Sequence, residues 1–276
     1  MATDIGTYQG KPAAIFSAPQ KVLGEVALRR LASNRWKPYP ELMPEGICWA
    51  AMLGGCGGPI TREHLATESL FGKRIRVEGG LFGGTPLETS IRKLTANILC
   101  RDHNSELGRT ADMAALRLLR HFKASHRPMD LPGSRILRPP VEKRISGVNF
   151  GRWLCKTHCN YMIVQGLTPH LAFIHYAFLR PLPTAVNFYF VGGLGDTLRL
   201  ADGRDPVVGW RALISDDNPE FDGFLLSLAG FQMAVSTAPI HRNGKPMIDR
   251  IRQIEQPTPL GSFRIVFDWA HEPPII

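Results

Sequence analysis

The chain has 276 residues, 44% of them hydrophobic and 21% charged, which suits one large globular unit or two modest ones and excludes collagen-like and disordered classes. Its formal charge of +9 is unevenly placed: residues 1–150 hold 22 Lys/Arg against 13 Asp/Glu, whereas residues 151–276 hold 11 of each. The longest apolar run, Ile47–Leu53, is far too short to span a membrane and Met1–Phe16 lacks the pattern of a secretory signal, so a cytoplasmic protein with no membrane partner is the expectation.

Residues 1–45 read as an N-terminal segment, with an amphipathic helix over Lys21–Arg35 and an extended link imposed by Pro38, Pro40 and Pro44. Ile47–Leu53 looks like a strand ending in the turn Gly54-Gly55-Cys56-Gly57-Gly58, and Pro59–Leu65 resumes an extended path. Gly79–Pro86 is glycine-rich and reads as a loop. From Ser105 to Ala124, Leu107, Ala111, Ala114, Leu118 and Phe122 form one apolar stripe at helical spacing, with Arg109, Arg120 and Lys123 opposite and Arg117 on the flank. Pro128, Pro132, Pro139 and Pro140 mark a stiff linker over 128–149. Beyond it, Phe150–Gln165 reads as a helix. Val186–Val191, Val207–Ile214, Phe224–Ser236, Met247–Ile254 and Ser262–Trp269 read as extended runs, with a turn at Asn243-Gly244. Residues 150–276 thus predict a mostly antiparallel β domain with a few helices, in a chain of α+β class.

An odd count of five cysteines without a secretory signal argues against a disulfide framework. Cys100-x2-His103 has the spacing of one zinc knuckle, and Cys48-x7-Cys56, within glycines that let the backbone turn tightly, can supply the other half of a tetrahedral site. The competing reading is three cysteines scattered as small buried hydrophobes. Between the knuckles lies Glu63-His64. An imidazole titrates near neutral pH and suits a general base, while carboxylate and amide oxygens suit hard Mg²⁺ or Mn²⁺.

Cys56-Gly-Gly-Pro-Ile-Thr-Arg-Glu-His64 and Leu99-Cys100-Arg-Asp-His103-Asn104-Ser-Glu-Leu-Gly108 resemble the HNH endonuclease family, with its ββα-metal core. The resemblance implies a zinc-stapled nuclease domain over 46–127, a structural Zn²⁺ on Cys48, Cys56, Cys100 and His103, and a catalytic Mg²⁺ or Mn²⁺. His64 would be the general base, Asn97 would orient it, and Glu63 and Asn104 would hold the cation. In an alternative register Asn104 orients the base and Asp112 completes the metal site. The activity implied is phosphodiester hydrolysis, with DNA the expected substrate and Arg62, Lys73, Arg74, Arg76, Arg101 and Arg109 as phosphate contacts. The rivals are a non-catalytic zinc-dependent nucleic-acid-binding protein and a zinc-stabilised interaction adaptor. The sequence fixes no oligomeric state.

Cys155-x2-His158-Cys159 places three potential ligands on one helix face, with a second metal site, a redox pair or a packed face with Met162 as its readings. Trp210, Trp269, His170 and His175 read as structural residues. Gly192-Gly193-Leu194-Gly195-Asp196 reads as a turn rather than a dinucleotide fingerprint, since no helix follows it.

Overall fold

Strands β1 (Ile60–His64) and β4 (Thr95–Cys100) run antiparallel, with an irregularity at Thr61/Arg62, and β4 passes directly into a helix. A computed structural model describes this arrangement within residues 47–65, 74–79, 87–90, 94–125, 141–164, 169–192, 207–214, 222–228, 231–239, 241–242, 245–246, 251–258 and 261–273. The helix at Lys21–Arg35, Lys73, the linker prolines, Gly80–Pro86, Gly193–Asp196, Asn243-Gly244 and Met247–Arg250 lie outside the described residues.

The helix after β4 has three parts: α1 (Arg101–Leu107), a π turn (Gly108–Asp112) and α2 (Met113–Ser125). Leu107, Ala111, Ala114 and Leu118 of the expected apolar stripe are buried. Ile47–Leu53 is not the expected strand: Ala51–Leu53 is a 3₁₀ turn, and only Trp49 extends the ladder, donating its N–H to the carbonyl of Ile98 at 3.0 Å. Bending rather than extending brings Cys48 back toward β4.

The sequence between β1 and β4 joins a different layer. Strands β2 (Arg74–Gly79) and β3 (Leu87–Ser90) belong to a six-stranded sheet of order β3-β2-β7-β8-β9-β6, with β6 (Asn187–Gly192), β7 (Val207–Ile214), β8 (Asp222–Leu228) and β9 (Phe231–Ser236). The run Phe224–Ser236 is therefore two strands of a hairpin. A second sheet, β12-β13-β5, pairs β12 (Gln253–Thr258) and β13 (Gly261–Asp268) antiparallel and sets β5 (Val141–Ser146) parallel to β13. Two-residue strands β10 (His241–Arg242) and β11 (Lys245–Pro246) flank the turn read at Asn243-Gly244. Pairing is mostly antiparallel among the described residues, with β2–β7 and β5–β13 the parallel exceptions.

Between these layers lies α3 (Gly147–Val164), buried at every residue but Asn149, followed by α4 (Leu171–Ala177). Part of the segment read as a linker over 128–149 is thus strand β5 and the first turn of α3. One core cluster runs from Cys48 to Phe267, so apolar packing crosses the boundary drawn from composition. Composition sees prolines; it does not see that β2 pairs with β7 across more than a hundred residues.

Candidate metal centre and active site

Cys100 ends β4 in an extended conformation (φ −69°, ψ 160°), and the helix it starts places His103 one turn on. His103 Nδ1 lies 3.3 Å from Cys48 Sγ, 3.7 Å from Cys56 Sγ and 3.3 Å from Cys100 Sγ. All four donor atoms lie within 4.8 Å of one another. A tetrahedral zinc with Zn–S near 2.3 Å and Zn–N near 2.0 Å spaces its N and S donors about 3.5 Å apart, so this donor set fits that ion. Among the described residues it is the only group of three or more His, Cys, Asp or Glu so converged.

The seven residues separating Cys48 from Cys56 are accommodated by the 3₁₀ turn and by Gly54 and Gly55, both in the left-handed region (φ 74° and 71°) that favours glycine. Backbone N–H groups of His103 and Gly57 point at Cys100, and those of Cys100 and Ala50 at Cys48. Burial pushes the Cys48 thiol up to about 12. Burial raises Cys100 too, but the N–H donors and the neighbouring thiols outweigh it and hold that thiol below its ordinary value. The ring of His103 meets Phe178 edge-on at 4.9 Å, and Trp49 packs on the same Phe178 at 5.6 Å.

His64 is the last residue of β1, opposite Thr95, and Arg62 stands opposite Asn97. Strand alternation puts Arg62, His64, Thr95 and Asn97 on one face and Glu63 on the other. Arg62 and Asn97 are exposed, His64 is half-buried, and Glu63 is buried. The expected base and its expected orienting asparagine therefore share a face, while the acidic neighbour of the base turns inward.

Asn104 lies on α1 and donates from Nδ2 to Thr61 Oγ1 at 3.0 Å. The Thr61 hydroxyl gives its own proton to the carbonyl of Leu99 at 3.2 Å, so it meets Asn104 as an acceptor. That fixes the amide: its nitrogen faces β1, and Oδ1 is the atom turned the other way.

Glu63 and Asp112, both expected as candidate ligands, converge on an ammonium. Lys156 Nζ lies 2.7 Å from Glu63 Oε1 and 3.0 and 2.9 Å from the two oxygens of Asp112. Lys156 is 2% exposed. Burial opposes its charge, but the two carboxylates prevail and hold its pKa above the ordinary lysine value. Burial pushes the Glu63 carboxyl up, with Lys156 pulling it partly back.

Lys156 belongs to a polar stripe on α3 that the sequence reading missed. Arg152 donates to the carbonyl of Ala177 at 2.7 Å, to Thr110 Oγ1 at 2.8 Å, to Asn149 Oδ1 at 3.2 Å and to Glu106 Oε1 at 3.3 Å. Asn160 accepts from Trp49 Nε1 at 3.0 Å and donates to the carbonyl of His64 at 3.4 Å. Arg152, Lys156 and Asn160 recur every fourth residue, and that spacing was the available signal. The π turn supplies two of their partners, Thr110 and Asp112.

A neighbouring face of α3 carries Cys155, His158 and Cys159, all fully buried. His158 stacks on Phe224 at 4.3 Å and accepts from Trp210 Nε1 at 3.2 Å, and burial lowers its pKa to about 3. This is an aromatic packing face. Trp269 Nε1 donates to the carbonyl of Ile251 at 2.7 Å, His170 caps α4, and His175 Nδ1 donates to the carbonyl of Pro181 at 2.6 Å. Of the expected phosphate contacts, Arg62, Arg101 and Arg109 are exposed, while Arg74 and Arg76 lie on β2. No described helix is long and apolar enough to cross a membrane. No family model, curated protein or solved structure matches the chain.

Proposed function

We propose that the protein is a metal-dependent endonuclease of the HNH type that hydrolyses phosphodiester bonds in DNA, built on a zinc-stapled strand–strand–helix unit. The observation that carries this reading is one connected strand–strand–helix unit. His64 ends β1, Asn97 shares its face on β4, and Asn104 lies on the helix that β4 enters, whose first turn also carries His103 of the Cys48/Cys56/Cys100/His103 cluster.

The cluster provides four donors, a closed set that suits a structural zinc rather than one with a position open to substrate. It ties the β4–α1 corner to the turn that carries Cys56. His64 takes the proton of the attacking water, a role suited to a half-buried imidazole. Asn97 holds the ring from the same face. Asn104 presents Oδ1 to a divalent cation because Thr61 engages its nitrogen. Bound there, Mg²⁺ or Mn²⁺ supplies Lewis-acid stabilisation of the charge that develops on the phosphate and the leaving oxygen. Arg62, exposed on the face of His64, contributes positive charge for the phosphate backbone.

One observation favours a second reading, a zinc-dependent nucleic-acid-binding protein without catalysis. Lys156 occupies the carboxylates of Glu63 and Asp112, which leaves Asn104 as the cation ligand among the three candidates.

The deciding experiment is plasmid nicking with Mg²⁺ or Mn²⁺ by the wild type and His64→Ala, both with measured zinc content. The nuclease reading expects cleavage by the wild type and a loss of about a hundred- to ten-thousandfold in the variant, with zinc and DNA affinity retained. Salt-sensitive DNA binding without cleavage by either protein establishes the second reading instead.

A further inference from the structure

The continuous helix α1–π turn–α2 exposes Arg101, Ser105, Arg109, Met113 and Arg117, every fourth residue, and then Arg120. An ordinary helix cannot keep such a series on one side. At about 100° per residue, each step of four drifts by about 40°, so Arg117 would stand roughly 160° from Arg101, on the opposite flank of the buried stripe. The π turn at Gly108–Asp112 removes the drift. A turn closed i→i+5 absorbs one extra residue, which takes back roughly 100° of phase and brings Arg101 and Arg117 within about 60° of each other. Arg120, about 100° from Arg101 in an unbroken helix, then comes almost in line with it.

The buried residues obey the same phasing. Leu107 before the π turn, Ala111 within it, and Ala115 and Leu118 after it are all fully buried. The π turn is itself held from the core, where Thr110 meets Arg152 and Asp112 meets Lys156. Core contacts thus fix an outer stripe of four arginines. Arg101 alone of them has an ion pair among the described residues, at 3.7 Å to its exposed neighbour Asp102.

We propose that this stripe, Arg101–Arg109–Arg117–Arg120, is a docking surface for the phosphate backbone of duplex DNA. The inference rests on the reading above for its partner and adds Arg117 and Arg120, which the motif does not contain. The helix from Arg101 to Arg120 rises about 28 Å, long enough for a helix lying along a groove to set its cations against phosphates of the flanking strands. B-form DNA suits it better than an RNA duplex. The B-form major groove is about 12 Å wide and admits the side of a helix, whereas the A-form groove is deep and narrow.

The test is the affinity of the full chain for a short DNA duplex over a range of salt concentrations, without added Mg²⁺ so that cutting plays no part. Arg117→Gln/Arg120→Gln should weaken binding and lower the log–log salt slope by about two, close to one per lost phosphate contact. Arg180→Gln/Arg252→Gln, which removes two exposed arginines that are not on this helix, should leave both unchanged. Adding Met113→Arg to Arg117→Gln should restore about one unit of slope, because residue 113 lies in the same arc. An unchanged slope in the double variant overturns the inference, as does equal loss in the Arg180/Arg252 control. Tighter binding to an RNA duplex, or loss of binding only to anionic vesicles, also overturns it. Failure of cleavage with these binding results intact would instead defeat the nuclease reading and leave the stripe standing.

Discussion

The Cys48/Cys56/Cys100/His103 corner, buried but for the exposed Cys56, and the pair of buried Glu63 and half-buried Asp112 are both gatherings of donor atoms where the sequence anticipated a cation, and they are completed in different ways. At the corner, four donors lie within 4.8 Å of one another, and among the described residues no lysine or arginine donates to them. At the acidic pair, the chain supplies the cation itself, through an ammonium delivered by a helix more than forty residues beyond Asp112. Proximity of acids is therefore a poor guide to a metal site. What separates the two is whether something nearer in the fold already neutralises the donors.

The largest effect should come from the corner. Structural zinc contributes on the order of 10 kcal/mol to the folding of small metal-dependent units. Cys100→Ser, or removal of metal by a chelator, should therefore unfold the β1–β4–α1 unit, read as lost zinc and a broad fall in amide-exchange protection. Full protection in metal-free protein would break the comparison, since the corner would then be ordinary packing.

The acidic pair should respond less, and to added metal only once its ammonium is gone. Lys156→Met strands two carboxylates in the core and should cost about 3–5 kcal/mol, the usual consequence of removing one partner from a buried ion pair. Lys156→Met/Glu63→Gln/Asp112→Asn should recover most of that loss. Raised Mg²⁺ should stabilise Lys156→Met, where it can replace the ammonium, and should not stabilise the wild type through these acids. Equal thermal shifts with Mg²⁺ in both proteins would show that Lys156 is no substitute for a cation.

The corner was legible because its signal is local. Cys100-x2-His103 sits within one turn, and the glycines around Cys56 announce a tight bend. The extended path of Pro59–Leu65, the helix after Cys100 and the strand Val207–Ile214 were legible for the same reason, through short-range periodicity. The acidic pair was not, because its partner enters from α3. Nothing near Glu63 or Asp112 indicates that a lysine will reach them. Ile47–Leu53 misled because an apolar run fits a strand and a bent buried turn equally, and the demand of Cys48 for its partners decides between them. The π turn also escaped notice. Leu107, Ala111 and Ala114 fit an ordinary helix, and nothing in their spacing marks the residue absorbed at Gly108–Asp112.

The smallest effect concerns Asn104, the candidate ligand that neither region claims. Its orientation depends on Thr61, whose hydroxyl proton is committed to Leu99. Thr61→Val keeps the shape and β-branching but removes both bonds, and a single hydrogen bond of this kind contributes about 1 kcal/mol. The fold should therefore survive with a modest loss of stability and no loss of zinc. The consequence for function should be more specific. With its nitrogen released, the amide can turn, and Oδ1 is no longer held toward the cation, so cleavage should require a higher Mg²⁺ concentration while its rate at saturating metal stays close to normal. Thr61→Ser, which restores the hydroxyl, should restore the wild-type metal requirement. A lower rate at saturating Mg²⁺ with an unchanged metal requirement would place Asn104 outside the cation site and return the search for its ligands to the acids that Lys156 now holds.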